Sequence, residues 1–515
     1  MRVLIFHGYL LRGTGSNVYN ANLAAALGRL GHEVDLLCQD RDPPALPGVT
    51  VHNPDIGRVL PVYVADRYEG FEARPFPELS DAELRRYLEA NVAAVRDVAA
   101  AAPPDVALAN HLVMGPAIVR RGLAGAAPYA VKVHGSALEY TVKPHPDRFL
   151  PYAREGVEGA SAVLVGSRHT AQSLWAALDD PRLPARTRLG PPGVDVETFR
   201  PRPPDEAAKG VHELADRLAA RGEDGNRATP GRPPAEGGSS FDLDPAAAGA
   251  ALARLRPAQD RLVAFVGKLI VSKGIDLLVA AWPLVLAQEP HARLVVVGFG
   301  AYRDAVQRMV GALAGGDLQT LRELARAGRQ AEGGPAGRLA LLDAFLDRLE
   351  AGGENRRRYL RAAQEAENRI VLTGRLEHDD LAELLPACEA LVTPSTFPEA
   401  FGMVPVEAAA CGAFPVSAAH SGLAEVARTL AEGVPAPARD WLTFRVGERA
   451  VEGIAERVIA WLRAPQQLRA ATRDALVETV RERWSWEGVA AGVLAAAQGR
   501  LAELPPPPAD RVPPA

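Results

Sequence analysis

A chain of 515 residues, 48% hydrophobic and 23% charged, has the composition of a soluble globular protein and is too long for one hydrophobic core, so two domains are the starting expectation. Its 58 basic and 63 acidic side chains give a net charge of -5, which leaves no basic excess to release counterions from DNA or RNA and disfavours nucleic acid as a partner. Three cysteines, Cys38, Cys388 and Cys411, make neither a disulfide framework nor a paired metal-ligand spacing, which fits a reducing, cytoplasmic setting.

The apolar run RVLIF (2–6) opens into HGYLLRGTGSN, and Val18, Ala21, Leu23, Ala24, Leu27 and Leu30 then follow at helical spacing: strand, glycine loop, helix. Apolar runs at 34–37, 106–109, 129–133 and 162–165 alternate with helical stretches, which predicts a parallel sheet covered on both faces in a first domain, 1–201. Residues 202–254 are polar and Pro/Gly-rich and read as a flexible insertion or linker. A second alternating unit occupies 255–483, with strands expected at 262–267, 293–298, 369–374, 390–394 and 413–417. Its segment 301–368 is too long for a crossover and reads as a helical insertion broken near Gly315, Gly333 and Gly352. The tail 502–515 is expected to be disordered, and no run approaches the roughly 18 apolar residues of a membrane span.

Three loops carry residues suited to chemistry. In the first, Gly8, Gly13 and Gly15 let backbone amides approach an anion at a helix N-terminus, although GTGSNV lacks the third glycine of a dinucleotide fingerprint. In the second, GKLIVSKG, Lys268 and Lys273 stand at the carboxyl end of a strand. Lysine occurs five times in the chain, so two within six residues point to a paired cation site suited to a diphosphate. The third, TPSTFPEAFGMVPVE, carries Ser395, Glu399, Phe401 and Gly402 and enters a helix bearing Glu407; carboxylates there suit sugar and ribose hydroxyls. Asp40 and Asp42 form a DxD read as a solvated turn, and no metal site is expected. His134, ending a strand, reads by itself as a packed residue as readily as a functional one.

Taken together, EAFGMVPVE, VGKLIVSKG, VHG at His134, GPPGVDVETFRP (190–201) and SGLAEV (421–426) resemble the retaining, family 4 nucleotide-sugar glycosyltransferases of the GT-B fold. The resemblance implies an α/β chain of two Rossmann-like domains facing across a cleft, the first completed by a C-terminal helix at 484–501. It implies transfer of a sugar from a nucleoside diphosphate sugar to an acceptor hydroxyl with retention. Glu399, His134 and Lys273 would be catalytic; Gly15, Lys268, Lys273, Phe401, Gly402, Glu407 and Ser395 would hold the donor; Asn17 and Tyr19 would border the acceptor. A UDP-sugar is the leading donor, with GDP- and ADP-sugars as alternatives, and no cofactor or metal is obligatory. GSNVY resembles the loop of enzymes that glycosylate inositol phosphate, while the insertion leaves room for peripheral membrane contact. The chain departs from the family at Lys268, usually arginine, at Thr14, usually glycine, and at Ser421, the first glycine of a usual pair. A sugar-nucleotide 2-epimerase of the same fold and a noncatalytic Rossmann-like binding protein are the competing readings.

Overall fold

The computed structural model describes residues 1–64, 68, 70–228 and 243–506, with 223–228 as backbone. The chain divides into two compact units, one of Met1–Gly193, Glu399–Met403 and the segment from Trp484 onward, the other of Val194–Pro398 and Val404–Arg483.

The first unit is built on seven parallel strands: β1 (Arg2–Phe6), β2 (Glu33–Leu37), β3 (Val49–His52), β6 (Val106–Asn110), β7 (Tyr129–Val133), β8 (Ala162–Val165) and β9 (Thr187–Leu189). A separate pair, β4 (Val59–Val62) and β5 (Glu72–Pro75), lies between β3 and β6 in sequence. Alternation along β1 sends Val3 and Ile5 to one face and Leu4 and Phe6 to the other, so each face carries its own core. One core is covered by α1 (Gly15–Arg29) and the C-terminal helix Trp486–Ala497, the other by helices Asp81–Ala101 and Gly115–Leu123. Strands β3, β4, β5 and β9 were not among the predicted runs. β3 and β5 hold no fully buried residue, and all four are only three or four residues long.

The second unit has six parallel strands: β10 (Arg261–Val266), β11 (Ala292–Val297), β12 (Ile370–Gly374), β13 (Cys388–Thr393), β14 (Phe414–Ala418) and β15 (Thr443–Phe444). Helix Ile275–Leu286 is buried on almost every side, with Trp282 0% exposed, because helices Glu354–Ala363 and Ala450–Arg463 pack over its outer face. Between β11 and β12 the chain forms helices Arg303–Ala314, Leu318–Ala327, Ala340–Ala351 and Glu354–Ala363, with Gly315, Gly333 and Gly352 at the ends of helical segments.

The expected linker is corrected. Pro204–Ala228 and Pro245–Leu252 are helices packed on each other, and Val211, Leu214 and Leu252 are buried. An apolar stripe at helical spacing inside a polar segment was outweighed in the sequence by its Pro/Gly-rich centre, most of which, 229–242, lies outside the described residues. Most of the Pro-rich tail, 507–515, lies outside them too.

The strand orders fix where ligands can sit. The first sheet runs β3-β2-β1-β6-β7-β8-β9 and the second β12-β11-β10-β13-β14-β15. Winding reverses between β1 and β6 and again between β10 and β13, and open α/β sheets bind ligands outside the carboxyl ends of the strands at such a reversal.

Candidate active site

In the second unit, the loop leaving β10 carries Lys268 and ends in the turn Val271–Lys273 and Gly274. Gly274 has φ 67°, and a Cβ there would stand 2.0 Å from the carbonyl oxygen of Pro394, which follows β13. Only glycine permits that approach, and it brings the lysine loop onto the Ser395 loop. The Thr396 amide donates to the Ser272 carbonyl at 2.9 Å, tying the two loops together. From the end of β14, His420 Nε2 donates to the Ser395 carbonyl at 2.8 Å, and its Nδ1 accepts from Ser421 Oγ at 3.0 Å. Ser421 retains a left-handed φ of 51° where glycine would be unstrained, at a cost of about 1 kcal/mol. Lys268 Nζ lies 5.9 Å from the centroid of the Phe299 ring.

Glu407, 4% exposed in helix Met403–Ala410, accepts a hydrogen bond from His378 Nε2 at 2.9 Å. The Phe199 ring covers His378, with centroids 4.7 Å apart. Burial disfavours the imidazolium, but Glu407, joined by Asp379 and Asp195, overcomes it and raises the His378 pKa above its usual value. Glu407 is thus a buried carboxylate already oriented by a histidine that the sequence alone did not single out.

In the first unit, His7 follows β1, His111 follows β6 and His134 follows β7. The His111 ring centroid is 5.6 Å from that of His7 and 4.9 Å from that of His134. His7 Nε2 donates to the Leu10 carbonyl and Asn17 Oδ1, each at 3.0 Å, while Nδ1 accepts from Asn20 Nδ2 at 3.0 Å. His134 Nε2 donates to Asn110 Oδ1 at 2.8 Å. Burial lowers the His7 pKa to about 4 and holds His111 and His134 well below the usual histidine value, so the cluster is neutral near pH 7. Both ring nitrogens of His111 are buried without a hydrogen-bond partner.

Asn17 and Tyr19, expected to border the acceptor, are 2% and 1% exposed. Asn17 Nδ2 donates to the Arg12 carbonyl at 2.6 Å, and its oxygen is taken by His7. The Tyr19 ring packs edge-on to His134 and Trp486, with Lys132 Nζ 5.1 Å from its centroid. Asn17 therefore supports the glycine loop from behind and Tyr19 packs under His134, since α1 is buried over a wide arc that takes in both positions. Lys132, 2% exposed, donates to the Gly190 carbonyl, and burial lowers its pKa to about 7. Asp40 is also corrected: it is 0% exposed and accepts from the Leu11 amide at 3.0 Å, so it anchors the glycine loop while Asp42 stays outside. Gly15 begins α1 behind Thr14, which makes no side-chain cap, and the first turn carries no acidic residue.

The expected set divides between the units. Gly15, Asn17, Tyr19, His134, Glu399, Phe401 and Gly402 belong to the first, and Lys268, Lys273, Ser395 and Glu407 to the second. Within the first unit, Ala400, next to Glu399, lies against Gly135 and Gly166, and Phe401 meets Trp484 edge-on.

Residues 14–193 match the family model described as "Glycosyl transferase 4-like domain", and residues 345–475 that described as "Glycosyl transferases group 1". The chain is built of glycosyltransferase domains. A D-inositol 3-phosphate glycosyltransferase of Geodermatophilus obscurus is 26% identical to it over 93% of this chain and 91% of that relative. The same-named protein of Segniliparus rotundus is 27% identical over 62% of this chain, and there the chain spans about half of the relative's length, 48%. Among solved structures, this glycosyltransferase chain is similar to sucrose-phosphate synthase from Thermosynechococcus elongatus, with 18% identity, TM-score 0.58, and coverage of 98% of this chain and 99% of that one. It is similar also to Anabaena HepE in complex with UDP and glucose, with 16% identity, TM-score 0.56, and coverage of 98% and 100%. These likenesses show the fold, which is GT-B. Among the described residues no helix is long and apolar enough to cross a membrane.

Proposed function

We propose that this glycosyltransferase moves a sugar from a nucleoside diphosphate sugar to an acceptor hydroxyl with retention at the anomeric carbon. The observation that carries the reading is the lysine loop: Lys268 and Lys273 stand at the reversal point of the second sheet, on a loop that Gly274 and Thr396 fasten to the Ser395 loop. Two cations fixed there suit a diphosphate, and they stabilise its charge as it departs.

In this reading the bond between the anomeric carbon and the phosphate oxygen breaks while the acceptor oxygen bonds to the same carbon. The acceptor proton passes to the departing phosphate. Lys273 and Lys268 hold the diphosphate, Glu407 accepts from the ribose hydroxyls, and Ser395 lines the nucleotide side. Glu399 and the Phe401 and Gly402 backbone hold the sugar. Gly15 offers its amide at the uncapped start of α1, where an anion is favoured. His134, kept neutral by burial, hydrogen-bonds the transferred sugar. The two lysines supply positive charge at the leaving group, and no metal is assigned. UDP is the favoured nucleotide, since the Anabaena protein in the complex above holds UDP; a Corynebacterium glutamicum relative, 26% identical over 44% of this chain, is named as GDP-mannose-dependent and makes GDP the alternative. A polyol hydroxyl such as that of an inositol phosphate is the favoured acceptor, by the names of the Segniliparus and Geodermatophilus relatives.

The test is thermal melting with UDP-, GDP- and ADP-sugars and NAD, followed by product analysis with inositol phosphate. Ligand at about 100 times its Kd stabilises the native state by roughly 2.7 kcal/mol. A shift with one sugar nucleotide and release of free nucleoside diphosphate is the expected result. A new sugar nucleotide as product would favour the epimerase, and a shift with none of the donors would remove the proposed donor site.

A further inference from the structure

The lysine loop is held by a residue outside both matched segments, 14–193 and 345–475. Glu332 Oε2 accepts a hydrogen bond at 2.6 Å from the backbone amide of Val271, 61 positions away. Val271 is the first residue of the turn Val271–Lys273 from which Lys273 projects. Glu332 ends the turn Arg329–Glu332 of the inserted segment, its side chain is 8% exposed, and its second oxygen takes Arg329 Nε at 2.9 Å.

The loop that delivers this carboxylate is closed on itself. Gly328 and Gly337 form a bridge, the Arg329 amide donates to the Gly337 carbonyl at 3.3 Å, and the Gly334 amide donates to the Arg329 carbonyl at 2.8 Å. A Cβ on Gly328, whose φ is 53°, would fall 1.4 Å from the Gly337 oxygen, so the closure demands glycine. Beneath it lies Asp276, 4% exposed in the first turn of the helix after Lys273; burial, reinforced by the Glu332 charge, raises its pKa to about 7. The insertion thus places a fixed hydrogen-bond acceptor on the backbone of a loop it does not belong to.

We infer that Glu332 is a positioning residue for the diphosphate loop: by holding the Val271 amide it fixes the turn carrying Lys273, and the insertion thereby sets the enzyme's affinity for the diphosphate of its donor. The inference rests on the donor reading above and adds an element that neither matched segment contains.

The experiment is titration calorimetry of the full chain with UDP, GDP and ADP, using whichever binds the wild type most tightly, on Glu332→Ala, Glu332→Gln, Glu332→Asp and Lys273→Ala, with melting temperatures alongside. Glu332→Ala is expected to weaken binding about tenfold, since the hydrogen bond is to a charged acceptor. Glu332→Gln should fall between Ala and wild type, because its amide oxygen accepts the same bond without the charge. Glu332→Asp keeps the charge but is one methylene short, and it should weaken binding as Ala does even if the Ala variant fails to fold. Binding as tight as wild type, or tighter, by Glu332→Asp or by a folded Glu332→Ala overturns the inference. If Lys273→Ala loses binding in that same experiment, the donor reading stands without it. If no nucleoside diphosphate binds the wild type, the donor reading fails and takes the inference with it.

Discussion

The two units share a construction and differ in what they place at its focal point. Each is a parallel sheet whose winding reverses once, and in each the segments leaving the strands at the reversal or one strand away carry the polar residues of the candidate site. In the first unit those loops gather three histidines that burial keeps neutral. In the second they gather two lysines and a carboxylate paired with a histidine whose pKa is raised. One architecture therefore supports two opposite electrostatic environments, and the difference resides in a few side chains at strand ends rather than in the fold. An uncharged cluster suits the hydroxyls of a sugar, while a pair of cations suits a diphosphate.

The contrast can be broken most forcefully at Lys273. Lys273→Ala is expected to lower kcat/KM for the donor by about 10²- to 10³-fold, with little change in melting temperature, read from the rate of nucleoside diphosphate release. An unchanged rate would mean that the charge of the second unit serves something other than the leaving group.

Acidification should strike the first unit next hardest. His7 has a folded pKa of about 4 against 6.5 in the unfolded chain, so the unfolded state binds more protons between those values and stability falls as pH drops through that window. The loss from His7 reaches about 3 kcal/mol once pH has fallen to the folded pKa of about 4. His111 and His134 act in the same direction. Denaturant midpoints from pH 7 down to 4.5 should fall less steeply in His7→Gln, which retains a donor and an acceptor; parallel curves would mean that His7 is not the buried neutral group described.

Gly274→Ala tests the fastening of the charged loops. The added Cβ meets a carbonyl oxygen at 2.0 Å and the residue keeps a left-handed φ, so a loss of about 2 kcal/mol is expected in unfolding experiments, together with weaker nucleoside diphosphate binding. Unchanged binding in a folded variant would show that the loops need no such fastening.

The smallest effect concerns His378. Its folded pKa is raised, so the stability it contributes is fully present below about 6.5 and is lost as pH rises through the raised value. His378→Gln keeps a donor to Glu407 and removes the titration, and its stability should vary less between pH 6.5 and 9 than that of the wild type. The two units thus respond to pH in opposite directions, and calorimetric scans at pH 5 and pH 8 would sharpen or erase that difference.

The central strands were readable because parallel strands buried on both faces are continuous apolar runs: RVLIF, YAVKV and AVLV stand out without any knowledge of neighbours. Edge strand β3 was not, since none of its residues is buried and its pairing with β2 is a property of the sheet. Lys268, Lys273 and Glu407 could be singled out because glycine- and proline-shaped loops at strand ends mark where a backbone must turn tightly. Asn17, Tyr19 and Asp40 show the opposite case: the family resemblance put the first two at the acceptor and the DxD pattern read the third as a solvated turn, while all three side chains are buried.

By itself, then, the sequence determined two alternating α/β units, the glycines at their sharp turns and the scarce lysines beside one of them, since these are encoded within a few neighbouring positions. Tertiary structure alone decided that His378 meets Glu407 across 29 positions, that Glu332 reaches Val271 across 61, and that His7, His111 and His134 form one neutral cluster. Such pairs carry no local signature, because they are brought together by the order in which strands wind into a sheet, and burial acquires its effect on charge only once that winding is complete.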